Sequence, residues 1–241
     1  MTWWSALTGR AFSSTGVARV GTCGWSAWWA VSGWAGAVVL ALSMGSLAVA
    51  FGADADGSPA RFASQLGVWG GFVATAAIAS RVYGSGRIGA DFGLRSSSDV
   101  VGRSVVVGVA TQVILVPAAY VPFWLAGLSL DVSGAAESML TDLSPAERLV
   151  VVIGVVVAAP VAEELLFRGV LLRGLAQSMS DRAAVVLSGV VFAATHFQLV
   201  QFPGLLVIGL VLAWLAVRTG GLAAPIWAHV GFNATTVVVL W

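Results

Sequence analysis

Apolar and polar positions alternate along the chain in long blocks. Seven apolar stretches, at residues 24–51, 62–80, 104–128, 148–172, 183–200, 204–217 and 222–241, are separated by the few places where charged side chains collect. About 20 apolar residues in helical conformation cross the hydrocarbon core of a bilayer, so each stretch predicts a transmembrane helix. The first exceeds one span and can bend at its glycines; the sixth is short and begins beside Pro203 and Gly204. Two segments break the pattern. Residues 1–23, with Trp3 and Trp4, predict a segment lying in the interface. No cleaved signal peptide is expected there, because the first apolar run starts late and is too long for an h-region. Residues 129–147 end in Leu143-Ser144-Pro145-Ala146-Glu147, a helix start with Ser144 as N-cap, Pro145 at N1 and Glu147 at N3. Strands are not predicted anywhere. The expected architecture is an all-α, polytopic helical bundle: an interfacial segment at 1–23, then a single transmembrane domain at 24–241.

Composition agrees with that reading. Hydrophobic residues make up 59% of the 241 positions and charged residues 10%, against about a quarter charged in soluble domains. A mean hydropathy of +0.94 leaves too little polar surface to cover a water-exposed globule. The twelve basic residues, all Arg, face eleven acidic ones, so no polybasic patch argues for nucleic acid. A single cysteine, Cys23, excludes an intramolecular disulfide, a Cys-rich zinc motif and an iron–sulfur site. The absence of Lys beside abundant Ala, Val and Gly fits a GC-rich bacterial genome, making the bacterial plasma membrane the expected location. Arg10 and Arg19 precede the first span, Arg81, Arg87, Arg95 and Arg103 surround the second connection, Arg173 and Arg182 the fourth, and Arg218 precedes the last helix. The alternate connections hold Asp54, Asp56, Asp131, Glu137, Asp142 and Glu147, with Arg61 and Arg148 alone on the basic side. The N-terminus is therefore expected inside and the C-terminus outside. Trp3, Trp4, Trp25, Trp124 and Trp241 read as interface anchors.

Ionisable side chains within spans mark functional sites by default, because each is costly unless it pairs or lines a wet cavity. The fourth stretch carries Glu163, Glu164 and Arg168, the fifth His196, and the seventh His229 and Asn233. At a rise of about 1.5 Å per residue, Glu163 lies about 15 Å from the Arg173 end, His196 about 20 Å from Arg182, and His229 about 10 to 15 Å from Arg218. Three helices therefore bring proton-active groups to a similar depth. Glu164 and Arg168 stand at i,i+4 with the acid first, the favourable order for an ion pair. Glu163 points about 100° away on a helix of about 3.6 residues per turn and is left to face a cavity as a general base. His229 and Asn233, one turn apart, can donate two hydrogen bonds to a developing oxyanion. Phe192, one turn before His196, can wall in its ring, and Pro160 and Gly169 suggest a locally opened helix. The plainer readings are a structural Glu164–Arg168 pair, polar residues joining neighbouring helices, and Phe192 as packing.

These residues form three motifs in order: Glu163-Glu164-x-x-x-Arg168, Phe192-x-x-x-His196 and His229-x-x-x-Asn233. The set resembles the membrane-embedded CAAX-processing and bacteriocin-processing endopeptidases, also called the Abi family, which includes the Rce1-type prenyl-protein proteases. The resemblance covers residues 145–241; Ala90-Asp91-Phe92-Gly93-Leu94-Arg95 is also similar to bacterial members, and residues 1–80 carry no signature. It implies an intramembrane endopeptidase in which Glu163 and His196 activate water, His229 and Asn233 hold the oxyanion, and Glu164 and Arg168 support the site. No motif position is missing.

Members are commonly named metalloproteases. A zinc ion would take Glu163, His196 and His229, with a fourth position open. A Glu–His pair also activates water without metal, and a ligand role would withdraw His229 from the oxyanion; the metal-free site is the expectation, with zinc as the alternative. The expected substrate is a leader peptide or a membrane-protein terminus. Two other classes stand beside the enzyme: a non-catalytic membrane scaffold or bacteriocin self-immunity factor, and a proton-coupled transporter, against which the lack of an inverted repeat counts. Gly33, Gly36, Gly70 and Gly71 permit close helix contacts within or between chains, which leaves the oligomeric state open.

Overall fold

A computed structural model describes residues 24–134, 137, 141 and 143–240. The interfacial segment expected at 1–23, with Cys23, Arg10 and Arg19, lies outside the described residues, as do Asp142 and Trp241. Among the described residues there are eight helices and no strand: α1 (Trp28–Ala50), α2 (Ser58–Tyr83), α3 (Ile88–Asp91), α4 (Ser98–Leu125), α5 (Pro145–Ala176), α6 (Asp181–Ala194), α7 (Phe202–Thr219) and α8 (Ala223–Leu240).

Five of these, α1, α2, α4, α5 and α7, are long and apolar enough to cross a membrane, which makes the chain an integral, multi-pass membrane protein. Of the seven spans expected, five are found by length and composition among the described residues. The run at 183–200 fails as a span because its helix stops at Ala194: its 14 residues rise about 21 Å, short of a hydrocarbon core of about 30 Å. The last helix, 18 residues long, has the same length as α7 and rises about 27 Å, so length does not separate the two.

Helix starts follow local chemistry. Ser144 Oγ accepts from the Glu147 N–H while the Glu147 carboxylate accepts from the Ser144 N–H, the capping box that the sequence predicts. Ser97 and Ser180 cap α4 and α6 through the N–H groups of Val100 and Ala183. Proline sets a less familiar feature. Within α4 and α5 the five-residue stretches Thr111–Leu115 and Gly154–Ala158 are π-helical, and each is followed by X-Pro, at Val116-Pro117 and Ala159-Pro160. A proline inside an α-helix lacks the N–H and clashes with the carbonyl four residues back. One extra residue in the turn relieves the clash, seen in the Ala159 N–H donating to Gly154 O, five residues back.

Helix pairs close through small residues. A Cβ on Gly67 would sit 2.6 Å from Ala41 Cα, and one on Gly71 2.5 Å from Ala37 Cβ, so α1 and α2 touch nearly backbone to backbone. α4 and α8 meet the same way at Gly108 and Gly231. The protein's centre is the second half of α5, where every residue from Glu164 to Leu175 is buried.

The Ala90–Arg95 stretch has a clear place in this fold. Phe92, fully buried, packs on Trp25 and under the Arg173 guanidinium, and its carbonyl accepts from the Leu222 N–H at 2.9 Å. Gly93, at φ +64°, lets the chain turn directly against Gly221, and its carbonyl accepts from Ala223 at 3.2 Å. The stretch thereby seats the start of α8. Asp91 holds it in turn: its carboxylate accepts from the Ser80 hydroxyl and from the Ser85 N–H and hydroxyl. Burial pushes this carboxyl up, but the Ser80 and Ser85 hydrogen bonds outweigh it, and the net position is below the ordinary 3.8. A depressed folded pKa gives stability that is present above the unfolded value and lost as pH falls through the folded one. Thermal melting of detergent-solubilised protein is therefore expected to drop as pH is lowered below about 4, and Asp91→Asn to flatten that limb. An unchanged limb in the variant assigns the acid sensitivity to other carboxylates.

Candidate active site

Glu163 and Glu164 lie at the end of the α-helical turn that follows Pro160, and Arg168 lies in a second π-helical stretch, Leu165–Leu171. The Glu164 and Arg168 side chains are fully buried, and Arg168 Nη1 donates to Glu164 Oε1 at 2.8 Å. The guanidinium is satisfied from two further directions. Nη2 donates to Gly209 O on α7 at 2.9 Å, and the flat face lies over the Phe192 ring, Cζ 4.4 Å from its centroid. Gly209 is there because α6 and α7 are in near contact: a Cβ on it would sit 3.0 Å from Gly189 O.

His229 arrives from α8 and faces both acids. Its Nδ1 is 3.1 Å from Glu164 Oε1 and its Nε2 is 3.9 Å from Glu163 Oε2. Glu163 is the more accessible acid, its side chain 16% exposed against 0% for Glu164. His196 lies just past the C-terminal end of α6. Its Nδ1 is 2.8 Å from Phe192 O, and because a carbonyl can only accept, Nδ1 carries a proton and Nε2 is the nitrogen left for another partner. Phe192 is the common neighbour: its ring meets His196 at 4.8 Å, Phe167 at 5.2 Å and His229 at 5.8 Å, all edge-to-face. Arg168, His196 and His229 thus share the Phe192 ring as a neighbour, and the two acids join the group through His229 and Arg168.

Asn233 stands one turn beyond His229 and is tied elsewhere. Its Nδ2 donates to Val155 O at 2.8 Å. The reason lies in the π-helical turn: in that register Val155 O would accept from residue 160, and Pro160 has no N–H to give. Asn233 supplies the missing donor from the neighbouring helix. This pairing went unread at the sequence level, although Pro160 five residues after Val155 was its available signal.

Two further residues were not singled out from the sequence. Tyr120 on α4 donates its hydroxyl to Val200 O at 2.8 Å and accepts from the Gly204 N–H at 3.4 Å, pinning the segment between His196 and α7. Phe197, at φ +54°, is the left-handed residue that turns the chain immediately after His196. Among the described residues no group of three or more His, Cys, Asp or Glu side chains is placed to hold a metal ion.

Residues 145–235 match a family model described as type II CAAX prenyl endopeptidase Rce1-like. The chain is similar to an Escherichia coli protein described as "Uncharacterized 24.3 kDa protein", 28% identical over 149 residues that cover 59% of this chain and 68% of that one. No solved structure matches.

Proposed function

From the match of residues 145–235 to the Rce1-like type II CAAX prenyl endopeptidases, we propose that the chain is an intramembrane endopeptidase that hydrolyses a bond in a membrane-associated peptide or protein terminus. The observation that carries this reading is the division between adjacent acids. Glu164 is buried and neutralised by Arg168, while Glu163 is partly accessible and faces His229 Nε2 across 3.9 Å. That separation is too long for a direct hydrogen bond and lets one water bond to both atoms.

In the proposed reaction Glu163 takes a proton from the attacking water, whose oxygen adds to the scissile carbonyl carbon. His196, oriented by its bond to Phe192 O, presents Nε2 as the second proton-active group. The carbonyl oxygen becomes an oxyanion. One N–H of the Asn233 amide is held by Val155 O, which fixes the amide plane and leaves the second N–H for that charge; His229, whose Nδ1–H donates to Glu164, adds its Nε2–H to the oxyanion as the imidazolium. As the carbon–nitrogen bond breaks, the proton passes to the leaving amine, so one water is consumed and the carboxylates return to their starting state.

The test is cleavage of bilayer-anchored peptides by the full chain in liposomes, read by mass spectrometry. His196→Ala is expected to lower kcat/KM by at least about 100-fold, the size of a general acid–base contribution, with membrane accumulation unchanged. Undiminished cleavage removes His196 from the chemistry. A wild-type chain that cuts nothing, joined to full biological activity of a Glu163→Gln, His196→Ala double variant, favours the scaffold or self-immunity class instead.

A further inference from the structure

α6 ends at Ala194 and α7 begins at Phe202, so His196 stands in the turn that joins them. Two large side chains of that turn lie outward, Phe197 80% and Leu199 90% exposed, and contribute little burial to hold it. The start of α7 is not capped from within either: Gln201, at the N-cap, makes no side-chain cap bond, and Pro203 has no N–H. The cap comes from α4. Tyr120, 2% exposed, donates its hydroxyl to Val200 O at 2.8 Å and accepts from the Gly204 N–H at a longer 3.4 Å. One hydroxyl thus joins the turn before α7 to the first turn of α7 itself. The two helices are close here, since a Cβ on Gly204 would sit 3.2 Å from Val116 Cγ1 and 3.4 Å from the Tyr120 hydroxyl oxygen. The tie lies between two parts of the candidate site. His196 precedes Val200 by four residues, and Gly209, whose carbonyl accepts from Arg168 Nη2 at 2.9 Å, follows Gly204 by five.

We propose that Tyr120 is a positioning residue: through Val200 O and the Gly204 N–H, its hydroxyl sets where the turn between α6 and α7 holds His196 beside Phe192. Without that hydroxyl both backbone groups must find other partners, and the turn that carries His196 moves with them. The effect on rate rests on the endopeptidase reading; the effect on the His196 ring does not. A residue of α4, outside the three motifs, thereby becomes part of what holds the site.

The test compares Tyr120→Phe with Thr111→Val in the full-length chain in liposomes. Thr111 is the control because it is an equally buried hydroxyl on α4 that bonds only within its own helix, to Val107 O at 2.8 Å. Tyr120→Phe is expected to lower kcat on a bilayer-anchored peptide about tenfold to 100-fold, the scale of a displacement of up to about 1 Å, with KM nearly unchanged. Thr111→Val should leave kcat close to wild type. The second readout is spectroscopic. The chain has two histidines, so nitrogen NMR of histidine-labelled protein gives one set of ring signals for each, and Tyr120→Phe should shift the His196 set while leaving the His229 set in place. An unchanged kcat, a loss no deeper than that of Thr111→Val, or an unmoved His196 signal each overturns the positioning role. If the Phe variant does not accumulate, Gly204→Ala takes its place, crowding α7 off the hydroxyl with Tyr120 intact. It should lower kcat about threefold to tenfold and shift the same His196 signals, and indifference in either readout again overturns the role. A wild-type chain that cuts nothing sinks the endopeptidase reading alone: the His196 signals then decide whether Tyr120 holds that ring.

Discussion

Glu163→Gln is expected to abolish cleavage while leaving the folded chain in the membrane, whereas Arg168→Ala, five residues on, is expected to remove the folded chain itself. Gln is nearly isosteric with Glu, and the Glu163 side chain retains 16% exposure and no partner as close as 3.5 Å in its ion pairing, so little packing is disturbed. Loss of the proton acceptor should cost about 10² to 10⁴ in kcat/KM. Arg168 is a different case. Its removal strands a Glu164 carboxylate at 0% exposure with no cation, takes a donor from Gly209 O and empties the face of Phe192. Breaking one half of a buried pair costs about 3 to 5 kcal/mol, comparable with the whole stability of many domains at about 5 to 15 kcal/mol. Removing both charges together, as Arg168→Met with Glu164→Gln, should restore much of the accumulation without restoring cleavage. Monodispersity and yield after detergent extraction, beside the cleavage assay, separate these outcomes. A Glu163→Gln chain that fails to accumulate would make Glu163 a structural acid and remove the proposed base.

Much of the site was legible because its logic is local to single helices. The Glu164–Arg168 pair follows from i,i+4 spacing, and Phe192 beside His196 from the same interval. The capping box at Ser144 was readable from four consecutive residues. What escaped the sequence depends on partners from other helices or on backbone register. The apolar run to residue 200 hides the end of α6, because Phe197 is as apolar as its neighbours and yet adopts φ +54°. Hydropathy reports side chains and is blind to that backbone turn. Asn233 was expected to act beside His229; its bond to Val155 O requires knowing that α5 passes through a π-helical turn before Pro160. The role of Asp91 and Phe92 in seating α8 needed the chain folded back on Gly221, a long-range contact that no periodicity announces.

That dependence on α8's seat is the basis for the second large effect: Gly108→Val is expected to abolish cleavage and lower stability, while Gly102→Val, on the same helix, leaves both nearly unchanged. A Cβ at Gly108 would lie 1.9 Å from Ala228 O and 2.8 Å from Phe232 N, the residues immediately before His229 and Asn233. Both contacts are backbone, so no side chain can rotate away, and α8 must move by more than an ångström to reach ordinary van der Waals separation. The same displacement opens the 3.1 Å contact of His229 with Glu164 and the 2.8 Å bond of Asn233 to Val155 O. Misplacement of about 1 Å at a reacting centre costs on the order of 100-fold in rate, and overpacking alone costs about 1 to 3 kcal/mol. Gly102 has nothing within 4 Å of its missing Cβ, which makes it the control for helix propensity and expression. Gly108→Ala already places the offending atom, so it should reproduce most of the loss in kcat/KM. If Gly108→Val cleaves like wild type, α8 does not hold its histidine and asparagine through this backbone contact, and positioning must come from the Phe92 and Gly93 carbonyls at the helix start.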